Sequence, residues 1–130
     1  MPIVTAFYAA LTALFGVFLA IRVIRLRQNK HISLGDGDDP EMSRRVRIFG
    51  NFAEYAALIL VLLGLAELTG LSRIWLHVYG TAFVLGRVVH AFGLSRARTV
   101  NAGRTVGMVL TFATMIGLSI SLLVTAVPKL

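Results

Sequence analysis

Residues 105–128 read Thr105-Val-Gly-Met-Val-Leu-Thr-Phe-Ala-Thr-Met-Ile-Gly-Leu-Ser-Ile-Ser-Leu-Leu-Val-Thr-Ala-Val-Pro128, without one charged side chain. An α-helix rises about 1.5 Å per residue, so about 20 such residues cross a hydrocarbon core of about 30 Å. This stretch therefore predicts a membrane span, and three more apolar runs precede it. Pro2 to Ile21 carries no charge; Ile48 to Leu68 is interrupted by Asn51, Glu54 and Glu67; Ile74 to Leu94 carries His77, Arg87 and His90. The fold class expected is all-α: an integral membrane four-helix bundle forming one domain over residues 1–130, with helices at about 2–24, 44–68, 74–94 and 104–128. No basic segment precedes the first run and its charges follow it, so it reads as a span rather than a cleavable signal.

The composition agrees. Of 130 residues, 57% are hydrophobic and 15% charged, against about a quarter charged in soluble domains. Mean hydropathy is +0.81. The net charge of +7 does not point to nucleic acid, because the basic residues lie in short blocks between apolar runs. The absence of cysteine excludes disulfides and thiol nucleophiles. His31, His77 and His90 lack the spacing of a metal pair on one helical turn, so no metal is expected.

Those basic blocks predict a topology. Seven of the thirteen Lys and Arg residues fall between Arg22 and Arg47, around a turn-forming acidic stretch, Leu34-Gly-Asp-Gly-Asp-Asp-Pro40, that suits neither helix nor bilayer. The third connection holds Arg96, Arg98 and Arg104, whereas the short second one has only Arg73. By the positive-inside rule the first and third loops belong in the cytoplasm and both termini on the opposite side. No internal repeat is evident.

The costly residues carry the functional signal. A charged side chain at the centre of a membrane helix costs about 2.5–3.5 kcal/mol on insertion scales and usually faces a bundle interior or an aqueous cavity. Arg44, Arg47, Asn51 and Glu54 are spaced three, four and three apart, which places them on one stripe of the second helix. Guanidinium groups hold carboxylates by paired hydrogen bonds, an amide donates and accepts, and a carboxylate holds an ammonium group. Such a stripe suits a small zwitterion with extra carboxylates. It equally suits an internal Arg–Glu network that packs helices or sets topology.

On the third helix, Arg87 and His90 share a face. They are read either as a ligand or inter-helix contact, or, for Arg87, as a side chain snorkelling to the interface. Tyr79, Gly86 and Gly93 form a second stripe that admits another backbone, and His77 with Trp75 and Tyr79 reads as an interfacial aromatic belt. Gly103, Gly107, Thr111, Thr114, Ser121 and Thr125 on the fourth helix read as a packing stripe rather than a polar pore. Glu67 is expected at the surface, neutralised by Arg73.

The segment Gly35-Asp-Gly-Asp-Asp-Pro-Glu-Met-Ser-Arg-Arg-Val-Arg-Ile-Phe-Gly-Asn-Phe-Ala-Glu-Tyr55 resembles the bacterial branch of the MAPEG proteins, membrane-associated proteins in eicosanoid and glutathione metabolism. The family's element of Arg, Asn four residues on and Glu-Tyr three further is matched by Arg47, Asn51, Glu54 and Tyr55. Gly86-Arg-Val-Val-His-Ala-Phe-Gly-Leu94 and Arg104-Thr-Val-Gly-Met108 are similar to bacterial members as well. The likeness extends over essentially the whole chain.

This resemblance implies a homotrimer in the lipid bilayer with glutathione as co-substrate, bound between neighbouring subunits and opening toward the cytoplasmic leaflet. By position, Arg47 and Asn51 would hold polar ends of the tripeptide and Glu54 its amino group. Tyr55, Arg44, Arg27, Arg87 and His90 are further binding candidates. The family's catalytic theme is a cation that raises the thiolate fraction of bound glutathione; Arg104 is the first candidate for that role and Arg98 the second. The implied activity is a glutathione-dependent transferase or peroxidase acting on lipophilic electrophiles or lipid peroxides that arrive through the membrane.

There are departures from the pattern. Ala57 stands where many members have proline, His90 and Leu94 where several eukaryotic enzymes have tyrosine, and Phe49 where some relatives are polar. The alternative reading is therefore a non-catalytic membrane scaffold or lipid-binding member of the same family. A small proton-coupled exporter is the third reading; the charge-free first helix argues against it.

Overall fold

The computed structural model describes residues 1–96 and 102–130, Arg96 by its backbone alone. Among the described residues the chain is all-helical: α1 (Ile3–Lys30), α2 (Pro40–Leu68), α3 (Arg73–Arg96) and α4 (Ala102–Ala126), closed by a 3₁₀ turn, Val127–Lys129. All four α-helices are long and apolar enough to cross a membrane. The expected all-α four-helix architecture is the one observed.

Two boundaries differ from expectation, and capping explains both. α1 continues past the apolar run to Lys30, because charge ends a membrane span but does not end a helix. It stops at His31, which takes a left-handed conformation (φ 54°) while Ile32 N–H returns to the Arg27 carbonyl. α2 begins at Pro40, four residues before the expected start. Asp39 caps it, accepting from Met42 N–H at 2.8 Å, and Pro40 suits a first-turn position where no amide proton is needed. Between the caps, Gly35 and Gly37 sit at φ 65° and 59°, backbone conformations that side chains disfavour.

Ion pairs fasten this hairpin. Lys30 lies 2.5 Å from Asp39 and 3.6 Å from Glu41; Glu41 also takes Arg45 at 2.6 Å. Arg45 then donates to the Arg22 carbonyl at 2.8 Å. At the opposite end of the bundle Glu67 does the fastening. Its two carboxylate oxygens accept from Val4 N–H at 2.9 Å and Thr5 N–H at 2.7 Å, backbone donors that the first turn of α1 cannot satisfy internally. The expected surface pairing with Arg73 is thus replaced by a link from α2 to α1.

The core follows the helical period of α2. Ile48, Phe52, Ala56, Ile59, Leu63 and Ala66, spaced by threes and fours, are buried against Leu76 and Phe83 of α3 and Leu118 of α4. The outward faces remain apolar, with Leu14, Val17, Val61, Val109, Ile116 and Leu123 exposed, as a bilayer contact requires.

α3 and α4 pack most intimately. A Cβ placed on Gly107 would lie 2.5 Å from His90 Cβ and 2.6 Å from the Gly86 carbonyl oxygen. Gly107, Thr111 and Thr114 are buried, and the hydroxyls of Thr111, Thr114, Ser121 and Thr125 donate to carbonyls four residues earlier. Gly107, Thr111 and Thr114 of the α4 stripe serve close helix packing, and the hydroxyls of Ser121 and Thr125 turn back to their own helix.

Candidate functional site

The polar residues in the half of the bundle nearest the basic loops divide into an inner cluster and an outer strip. Arg87 is the centre of the inner one. It is 2% exposed, donates from Nη2 to Asn51 Oδ1 at 2.7 Å and from Nη1 to Thr111 Oγ1 at 3.4 Å. Its guanidinium also lies over the Tyr55 ring, 5.6 Å from the centroid, and Tyr55 packs edge-on against Phe112. Arg87 therefore joins α2, α3 and α4 rather than snorkelling to the interface. Its partners among the described residues are all neutral.

His90, one turn along α3, is buried with its Cβ against Gly107. Its Nδ1, like Arg87 Nε, has no hydrogen-bond partner among the described residues. Burial of this kind is costly unless something answers it.

The outer strip belongs to the surface of α2. Arg47 and Glu54 have side chains 66% and 58% exposed, with Nη1 and Oε1 3.9 Å apart. At the loop end, Arg27, Gly35, Asp36, Ser43, Val46 and Arg47 line an open cup. Arg27 is half-buried there and reaches the Ile32 carbonyl at 3.5 Å. Arg44 is half-buried as well.

The single stripe expected on α2 is thus split. At about 100° per residue, Asn51 lies about 40° from Arg47 and about 60° from Glu54 around the helix. That rotation suffices to turn the amide under α3 while the two charges stay outside. Tyr55 goes inward with it. Spacing alone does not say where the neighbouring helix axis runs, so the division was not readable from sequence.

Of the two candidates for thiolate stabilisation, Arg104 is half-buried in the first turn of α4, whereas Arg98 lies outside the described residues.

Sequence reasoning also missed a bonded group at the far end. Tyr8 Oη lies 3.0 Å from His77 Nδ1 and 2.8 Å from Thr81 Oγ1, tying α1 to α3. His77 still sits beside the Trp75–Tyr79 ring pair, but it has a partner that sequence spacing could not reveal, because the two residues are 69 positions apart.

The cup that Arg27 and Arg47 help to line and the exposed Arg47–Glu54 pair thus lie on the outside of the bundle, while Arg87 and Asn51 are buried within it. Residues 5–124 match the sequence model of the MAPEG family. The chain belongs to that family. Inner membrane protein YecN of Escherichia coli K12 is 34% identical to it over 90 residues, covering 69% of each chain. The protein of the same name in Escherichia coli O6:H1 (strain CFT073) gives the same figures. The resemblance drawn from Arg47, Asn51, Glu54 and Tyr55 is therefore a family relationship, and this MAPEG chain has the four apolar helices expected of it.

Proposed function

We propose that this MAPEG protein is a glutathione-dependent transferase or peroxidase of the inner membrane, working as a homotrimer on lipophilic electrophiles or lipid peroxides. One observation carries the reading: Arg47 and Glu54 stand exposed on a helix that runs on into an apolar span, 3.9 Å apart. Glu54 sits about two turns into that span, a depth at which an unanswered charge is costly. A neighbouring copy that covers the strip, with a zwitterionic tripeptide between the two, answers both charges.

In this arrangement Arg27, Ser43 and Arg47 receive carboxylate oxygens at the cup, and Glu54 receives the ammonium group. Guanidinium pairs suit planar carboxylates. Arg104 raises the thiolate fraction of the bound tripeptide by placing a positive charge near its sulfur. In conjugation that sulfur forms a bond to the electrophilic carbon as the leaving group departs with its electron pair, the thiol proton passing to water. In peroxide reduction two thiols are oxidised to one disulfide while the hydroperoxide becomes an alcohol and water. The apolar outer faces of the helices let the second substrate arrive through lipid. The basic loops face the cytoplasm and the termini the other side, in keeping with the inner-membrane name of the bacterial relatives.

The test is calorimetric titration of glutathione into detergent-purified protein, wild type beside Arg47→Ala and Glu54→Ala, with subunit number read by chemical cross-linking. Saturable binding lost in both variants, in a trimer, supports the reading. No binding to a folded wild type removes it and leaves a non-catalytic membrane scaffold.

A further inference from the structure

Arg87 is the largest fully buried side chain among the described residues, and among them it forms no ion pair. Burying an unpaired guanidinium is expensive, and apolar side chains of similar volume usually pack as well or better. Helix packing alone is therefore a poor account of it. What the guanidinium does supply is direction.

Arginine only donates, so the atom of Asn51 that lies 2.7 Å from Nη2 must be the carbonyl oxygen. The Asn51 amide thus has one allowed orientation. Its acceptor is committed inward, and its nitrogen, with two N–H donors, is what it has to offer elsewhere. Around α2 that nitrogen belongs to the residue lying between Arg47 and Glu54 in sequence. Thr111 from α4 and the Tyr55 face hold Arg87 in place, so the orientation is set by three helices together.

We infer that Arg87 is a positioning residue that never touches ligand but turns the Asn51 N–H donors toward the Arg47–Glu54 strip, where they take an acceptor-only group, a carboxylate or peptide carbonyl oxygen. This deepens the thiol-tripeptide reading and rests on it. It also gives the strip an order: a donor amide beside the cationic cup for the oxygens, and Glu54 beyond it for the ammonium.

Asn51→Asp separates orientation from stability. Its carboxylate still meets Arg87, now as an ion pair, so the bundle holds; its outward atom becomes an oxygen that repels an acceptor. Glutathione titrations are run on wild type, Asn51→Asp, Arg87→Lys and Arg87→Met, each with an unfolding temperature measured alongside. The expected result is an Asn51→Asp protein at least as heat-resistant as wild type whose glutathione affinity falls by roughly tenfold or more, the worth of one hydrogen bond to a charged group. Arg87→Lys, which keeps a donor, retains most of the affinity, and Arg87→Met loses it.

Wild-type-like binding by Asn51→Asp overturns the inference while leaving the glutathione reading intact. Should Asn51→Asp fail to fold, equal affinities for the Lys and Met variants overturn it instead. A folded wild type that does not bind glutathione removes both.

Discussion

Gly86 and Gly107 meet backbone to backbone: a Cβ on Gly107 would stand 2.6 Å from the Gly86 carbonyl oxygen, and one on Gly86 would stand 3.1 Å from the Gly107 carbonyl. This contact sets how closely α3 and α4 approach, and so holds Thr111 within reach of Arg87.

Gly107→Leu forces those backbones apart. Overpacking of this kind costs about 1–3 kcal/mol, and because the obstacle is backbone rather than a flexible side-chain end, the upper part of that range is expected. Gly50→Ala is the control, since nothing lies within 4 Å of its added Cβ. Thermal unfolding in detergent should show a clear drop for Gly107→Leu and no loss, or a small gain in helix stability, for Gly50→Ala.

Glu67 makes the corresponding prediction at the other end. It satisfies the Val4 and Thr5 N–H groups with both oxygens, and hydrogen bonds to charged groups contribute about 1.5–3 kcal/mol each at most. Glu67→Leu should lower the unfolding temperature and expose the N-terminal turn of α1 to protease. Glu67→Gln keeps one acceptor and should fall between the two. Indistinguishable digestion of wild type and Glu67→Leu would show that the α1 N-terminus is held by packing alone.

The fold was legible because its cause is local: runs of apolar residues from Pro2 and up to Pro128 are long enough to span a bilayer whatever their neighbours do. The packing role of Gly107 and Thr111 was legible for the same reason, since small residues at helical spacing have few other uses in lipid. The site was legible only as a residue set. Whether Asn51 faces in or out depends on an angle of about 40° on α2 relative to α3, a quantity that exists only once the helices are docked. Glu67 shows the limit most plainly. Its partners are backbone N–H groups more than 60 positions away, and no side-chain pattern announces a backbone partner.

The α1–α2 hairpin should loosen in acid. Lys30 and the Met42 N–H hold the Asp39 carboxyl below its ordinary range. A carboxylate whose folded pKa is depressed contributes stability that is present above its unfolded pKa and lost as pH falls through the folded one. With ordinary aspartate near 3.9, the contribution stands at neutral pH and fades below about pH 4. Unfolding temperatures of wild type and Asp39→Asn should differ at pH 6, and the difference should shrink steadily as the pH is lowered below about 4. A difference that persists unchanged into acid would place the effect in backbone capping rather than in charge.

Arg104 offers the sharpest separation of binding from chemistry. It stands half-buried in the first turn of α4, on a different helix from Arg47 and Glu54, and acts on the sulfur rather than on the tripeptide's charged ends, so removing it should spare most of the affinity. A cation beside a thiol shifts the thiol toward thiolate, and loss of that shift acts on the reactive fraction of bound glutathione. Arg104→Ala should therefore bind glutathione nearly as wild type does while its conjugation rate with a small aryl halide falls by roughly tenfold or more, about 1.4 kcal/mol in the barrier. The pH profile adds a second reading: the variant's rate should climb toward alkaline pH, where solvent itself deprotonates the thiol, whereas the wild-type rate levels off earlier. If both profiles rise in parallel and differ only in height, Arg104 is not what sets the thiolate fraction.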